Sequence, residues 1–127
     1  MKRDMDLIRQ ILLKIEEYDG DSEIHNLPVE NCSHEEITYH VYLLLDAKLI
    51  EGHISYGMDT VKPAGYAIYR MTWAGHDFLD ACRDEGRWQK AKKIIDKNLK
   101  GASFNIINML LEEIMKSQAI PALTALL

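Results

Sequence analysis

Residues 33–72 read SHEEITYHVYLLLDAKLIEGHISYGMDTVKPAGYAIYRMT. Ser33 followed three residues later by Glu36 is a capping box, so a helix begins at His34. Ile37, His40, Val41, Leu44 and Leu45 recur at helical spacing and form its inward face, to about Lys48. A histidine at that spacing is expected to be a hydrogen-bonded core residue. The periodicity then changes. Leu49–Tyr56 and Tyr66–Thr72 read as strands, with Ile50, Ile54 and Tyr56 sharing one face of the first. In the second, Tyr66, Ile68 and Arg70 oppose Ala67, Tyr69 and Met71. Gly57, Asp59, Pro63 and Gly65 place a loop between them, so the pair is a β-hairpin with a projecting tip over Gly57–Gly65.

Upstream, Met5, Ile8, Ile11, Leu12 and Ile15 predict a helix over Asp4–Tyr18, with Asp4 as N-cap. Asp19-Gly20 is expected to stop it, the glycine supplying a left-handed position. Ser22–Asn31 contains Pro28 and suits an extended segment or short edge strand. Downstream, Thr72 caps a helix from Trp73 to about Asn98 that Gly86 kinks or divides. Its expected core is Trp73, Phe78, Leu79, Cys82, Trp88, Ala91 and Ile95. After Lys100-Gly101, Ser103 caps a last helix over Phe104–Gln118, and Pro121 interrupts before the apolar tail. Helix, short extended segment, helix, hairpin and helix is the order of a winged-helix domain. The predicted fold class is therefore α+β: a winged-helix-like core over 1–72 in a single domain of 1–127. Residues 73–127 form a C-terminal helical extension that acts as a dimerisation element.

The 127-residue chain is 47% apolar and 28% charged, ordinary for a globular domain able to bury a core without metal or disulfide. Its net charge of −5 argues against wholesale coating of nucleic acid. That charge is polarised. Residues 1–60 hold 5 Lys+Arg against 13 Asp+Glu, a net of −8, and residues 61–127 hold 10 against 7, a net of +3. Met1–Gln10 has no apolar stretch with a cleavage site, and no apolar run reaches membrane length. A cytoplasmic protein with Cys32 and Cys82 as reduced thiols is expected.

Four blocks carry a family resemblance: MKRDMDLIRQILLKIEE, EEITYHVYLLLDAKLIEG, YRMTWAGHDFLDACRDEGRW and ASFNIINMLLEEI. In this order they resemble the bacterial and prophage family of unknown function DUF2513 over nearly the whole chain. The resemblance implies a winged-helix fold and brings no catalytic residues with it. Ala119–Leu127 is longer and more apolar than the family pattern.

A winged helix raises the question of DNA. The outward face of the second helix should present Glu35, Glu36, Thr38, Tyr39, Tyr42, Leu43 and Asp46. Groove readers need Arg, Lys, Asn or Gln, and cations for the flanking phosphates. Three carboxylates oppose both requirements. Tyr39, Tyr42 and Leu43 instead suit a protein contact. The better nucleic-acid candidates are Arg87, Lys90, Lys93, Lys97 and Lys100, together with Lys62 on the wing. Lys90, Lys93, Lys97 and Lys100 share one helical face. A solvated helix face is the competing reading of these lysines. Phe104, Ile106, Ile107, Met109, Leu110, Leu111, Ile114 and Met115 make the last helix apolar on more than one side. Phe104, Leu111 and Met115 are thus candidates for a homodimer interface, with full intramolecular burial as the alternative.

His25, His34, His40, His53 and His76 lack metal-ligand spacing, so no metal is expected. His76 is expected to pack where the third helix leaves the strand, with Gly75 permitting close backbone approach. No nucleophile elbow, phosphate loop or dinucleotide turn occurs, so no catalytic residue, cofactor or small-molecule substrate is expected. The leading function is a protein-interaction module that pairs with a second copy or another protein. The alternative is a DNA-binding transcriptional regulator on duplex DNA. Neither an enzyme nor a membrane protein is expected.

Overall fold

A computed structural model describes residues 1–98 and 103–126. Among these residues the protein is α+β, with five helices and one two-stranded antiparallel sheet. It divides into two compact units, Met1–Leu79 and Asp80–Leu127.

In the first unit, α1 spans Met5–Glu17. The Asp4 carboxylate accepts the Asp6 and Leu7 N–H groups as N-cap. Leu7, Ile8, Ile11, Leu12 and Ile15 are buried. A fully buried Leu or Ile of this kind contributes roughly 1.5–3 kcal/mol. The helix ends at Tyr18, which turns to extended backbone with φ −74 and ψ 123. The expected left-handed stop at Gly20 is therefore not used. Ile24 next forms an antiparallel bridge to Ile68, exchanging both backbone hydrogen bonds at 2.9 Å. The segment Ser22–Asn31, expected to be extended or a short edge strand, thus meets the sheet at a single bridge and forms no strand of its own.

Helix α2 spans His34–Asp46 and carries the complete Ser33–Glu36 capping box. Ile37, His40, Val41 and Leu44 are buried, and Leu45 is half-buried. Thr38, expected outside, is buried, because its hydroxyl turns back to the His34 carbonyl at 2.7 Å. His40 is a core histidine. Its Nδ1–H donates to the Glu36 carbonyl at 2.8 Å, and its Nε2 accepts the Asp4 N–H at 2.8 Å. One imidazole thus fixes the start of α1 against α2. The C-terminus of α2 closes with Lys48 N–H to Leu45 O and Leu49 N–H to Leu44 O, both 3.0 Å. These bonds require a left-handed residue, and Lys48 supplies it at φ 61.

Strand β1 spans Ile50–Tyr56 and β2 spans Pro63–Met71. Pairing runs to Tyr56↔Pro63, so the second strand starts three residues before the expected Tyr66 and the loop shrinks to 57–62. Register jumps from Glu51↔Arg70 to Gly52↔Ile68, which makes Tyr69 the extra residue of a bulge. The bulge resets the expected alternation. Ile68 and Met71 both enter the core, while Tyr69 and Arg70 face out. Tyr66 is buried, and its hydroxyl accepts the Leu27 N–H at 2.7 Å, tying the non-helical segment before α2 to the sheet.

Helix α3 spans Trp73–Cys82. The Thr72 hydroxyl donates to Lys48 O at 2.8 Å and accepts the Gly75 N–H at 3.0 Å. Trp73, expected in the core, is 85% exposed. It lies about 140° around the helix from Phe78, which with Leu79 is buried. A Cβ on Gly75 would stand 2.0 Å from the Leu49 carbonyl oxygen, so the expected close backbone approach is present. His76, expected to pack at this junction, is exposed.

In the second unit, α4 spans Glu85–Asn98 and α5 spans Phe104–Leu126. The expected Trp73–Asn98 helix is divided at Arg83–Asp84 rather than at Gly86. Asp84 caps α4 by accepting the Arg87 N–H at 2.7 Å. Trp88, Ala91, Ile107, Leu111 and Ile114 are buried, and Ile95 is half-buried. Pro121 lies inside α5 and does not interrupt it. A proline removes one helical N–H bond, which need not end a helix held by its neighbours.

Candidate interaction surface

The outer face of α2 and the hairpin loop together line a largely apolar hollow in the first unit. Helical spacing sets Tyr39 and Tyr42 side by side, their ring centroids 6.3 Å apart and stacked. Tight pairing to Pro63 brings Tyr56, Thr60, Val61 and Pro63 opposite them. These six residues enclose a groove of about 480 Å³. Tyr42 and Tyr56 are exposed at its walls, and Tyr39 is half-buried. At the loop, Met58 and Val61 are 94% and 93% exposed. Two apolar side chains are thus held almost wholly in water at the hairpin tip.

A second hollow of about 280 Å³ adjoins it, lined by His34, Glu35, Thr38, Gly57, Thr60, Lys62, Pro63 and Ala64. The Lys62 ammonium pairs here with the Glu35 carboxylate. The hydrogen bond from Lys62, reinforced by its charge, holds the Glu35 carboxyl below the usual range. Lys62, expected as a wing contact to nucleic acid, is thus engaged with α2. Glu36 is occupied by the capping box. The His34 ring stacks on Tyr66 at 5.9 Å and lies 3.2 Å from the Ala64 carbonyl, fixing the base of this hollow.

Of the other expected residues, Leu43 is half-buried and Asp46 exposed. Arg87 is spent within its own unit: its guanidinium donates to the Asp80 and Ala81 carbonyls, each at 3.1 Å, and to Gln118 Oε1 at 3.3 Å. It thereby satisfies the last carbonyls of α3. Lys90, Lys93 and Lys97 are exposed on α4. Lys100 lies outside the described residues. Leu111 is fully enclosed rather than presented, and Phe104 and Met115 are half-buried.

The sequence gives no hint of a polar cleft of about 630 Å³ in the first unit, where Glu16, Tyr18, Asp21, Ser22 and Glu23 face Tyr69, Arg70 and His76. Arg70 is paired with Glu51, and His53 Nδ1 lies 2.6 Å from the Tyr69 hydroxyl. Cys32 is half-buried, its thiol pushed up by burial and by the nearby Glu36 and Asp4 carboxylates, and Cys82 is buried. Among the described residues, no three His, Cys, Asp or Glu side chains are placed to hold a metal ion. Among the same residues, no helix is long and apolar enough to cross a membrane.

The family described as Hypothetical protein (DUF2513) matches residues 2–103. The chain belongs to this family. The match contains the whole α2–hairpin surface and α4, and it stops before α5. An uncharacterized protein of Haemophilus influenzae is 34% identical over 119 residues, covering 91% of this chain and 96% of the relative. No solved structure matches the chain. Neither DUF2513 nor the Haemophilus relative carries a stated activity.

Proposed function

We propose that this DUF2513 protein is a binding module rather than an enzyme, with a winged-helix-like first unit that recognises another protein through α2 and the hairpin tip. The order of α1, the Ile24 bridge, α2 and the hairpin supports the winged-helix reading, with one helix between the bridge and the hairpin where such domains usually carry two. The resemblance to a bacterial and prophage family and the Haemophilus relative support a bacterial setting.

The observation that carries the reading is the groove of Tyr39, Tyr42, Tyr56, Thr60, Val61 and Pro63, beside the exposed Met58. Its volume accepts one large apolar side chain, and the tyrosines offer hydroxyls at its rim. The exposed Asp46 carboxylate, with the negative charge that Glu36 keeps within its capping box on the same helix, favours a partner segment with an apolar anchor flanked by basic residues. Selection of displayed peptides on the full chain tests this. Peptides with one aromatic or aliphatic anchor beside Lys or Arg should be enriched, and Tyr42→Ser with Tyr56→Ser should remove the enrichment. Enrichment that survives both substitutions would overturn the reading.

A second reading has its own observation. Lys90, Lys93 and Lys97 are exposed on one face of α4, and no ion pair engages them among the described residues. That face suits contact to duplex DNA phosphates. Fluorescence anisotropy on duplex DNA should then fall steeply with salt and be lost in Lys90→Glu with Lys93→Glu. No binding at low salt excludes this reading.

A further inference from the structure

Helix α5 is apolar on two sides. Ile107, Leu111 and Ile114 are buried, whereas Ile106, Met109, Ile120 and Leu123 remain exposed. The exposed four follow a heptad, with Ile106 and Ile120 at a positions and Met109 and Leu123 at d positions. Between them the same heptad places Glu113 at a and Lys116 at d. These two side chains are 72% and 68% exposed and lie 3.6 Å apart in the chain. The stripe is therefore apolar at both ends and charged, with one residue of each sign, in the middle.

We propose that this stripe is an antiparallel, two-fold interface between α5 helices of two copies of the chain. A two-fold axis crossing the helix between Ile114 and Met115 sets Ile106 against the partner's Leu123 and Met109 against the partner's Ile120. The same axis sets Glu113 against the partner's Lys116. The stripe is its own complement, which identifies the occupant as a second copy rather than an unrelated protein. A parallel pairing fails the same test, because it stacks Glu113 on Glu113 and Lys116 on Lys116. The flanks agree with the antiparallel register: Glu112 falls beside the partner's Ala119, and Leu126 beside the partner's Asn105, so no like charges meet. From Ile106 to Leu123 the seam runs about 26 Å at the helical rise. Two charged layers at its centre weaken the seam and fix its register. Phe104, Leu111 and Met115, the dimer residues expected from the sequence, lie off this seam. The interface stands independently of the α2–hairpin reading, since it uses other residues in the other unit.

Sedimentation velocity of the full chain across concentration provides the test. A reversible monomer–dimer equilibrium is expected. Glu113→Lys alone and Lys116→Glu alone each make the central layers like-charged, and each should weaken association at least about tenfold. Mixing these two variants should restore a dimer containing one of each. The double variant Glu113→Lys/Lys116→Glu should match the wild type. It keeps the wild-type composition, so it decides the matter even where a single variant loses helicity by circular dichroism. A wild type that is monomeric at every concentration overturns the proposal. So does a dimer indifferent to either single reversal, or a double variant that stays monomeric.

Discussion

The bond between the Tyr66 hydroxyl and the Leu27 N–H yields a quantitative expectation. Tyr66→Phe removes the acceptor and changes little else, because the ring keeps its place. Leu27 and Tyr66 are both buried, and the bond is 2.7 Å long. Water cannot readily replace the lost partner, so the orphaned N–H should cost about 1–3 kcal/mol. For a unit the size of Met1–Leu79, each kcal/mol corresponds to a fall of roughly 4–8 °C in Tm. Urea unfolding followed by circular dichroism reads the energy, and hydrogen exchange at the Leu27 amide reads the local effect. Burial raises the Tyr66 phenol above its usual pKa, against the smaller lowering by the Leu27 bond. A raised folded-state pKa contributes stability that is complete below the unfolded value of about 10 and is lost as pH climbs through the folded value. The gap between wild type and Tyr66→Phe should therefore narrow above about pH 10. A loss below about 0.5 kcal/mol at neutral pH, or a gap that widens at high pH, would refute the reasoning.

Two further substitutions probe the frame that holds the α2–hairpin surface. Gly75→Ala forces a Cβ to within 2.0 Å of the Leu49 carbonyl, so the α3 start must move; a loss of about 2 kcal/mol or more in chemical denaturation is expected, and a neutral effect would contradict the close approach. Lys48→Gly relieves a left-handed lysine at φ 61 and should stabilise by up to about 1 kcal/mol, seen as a higher denaturation midpoint, whereas destabilisation would show that the lysine side chain matters more than the backbone.

Local signals made α1, α2 and the hairpin legible. The Ser33–Glu36 box, the Asp4 cap and the apolar periodicities each act within one turn of chain, and the structure contains all three. What stayed hidden was non-local. The Tyr69 bulge depends on pairing across strands, and Gly52 makes room for it against the Ala67 carbonyl. Thr38 was misplaced because its hydroxyl satisfied itself inside the helix. The division of the long helix followed a cap at Asp84, a stronger signal than the glycine two residues later. For the candidate site, Tyr39 and Tyr42 were readable from α2, but Tyr56, Met58 and Val61 were not. For Met58 and Val61 the signal was present in the sequence: apolar residues in a turn where polar ones are the rule. Likewise the two-sided apolarity of α5 was visible, yet only burial separates its enclosed side from its exposed stripe.

The central claim is that recognition resides on the α2–hairpin surface. Titration calorimetry with a peptide selected on the wild-type chain measures this directly, comparing Tyr42→Ser/Tyr56→Ser with Lys90→Glu/Lys93→Glu. The tyrosine variant should bind at least about tenfold more weakly and the lysine variant should bind as the wild type does. Affinity kept by the tyrosine variant and lost by the lysine variant would contradict the account.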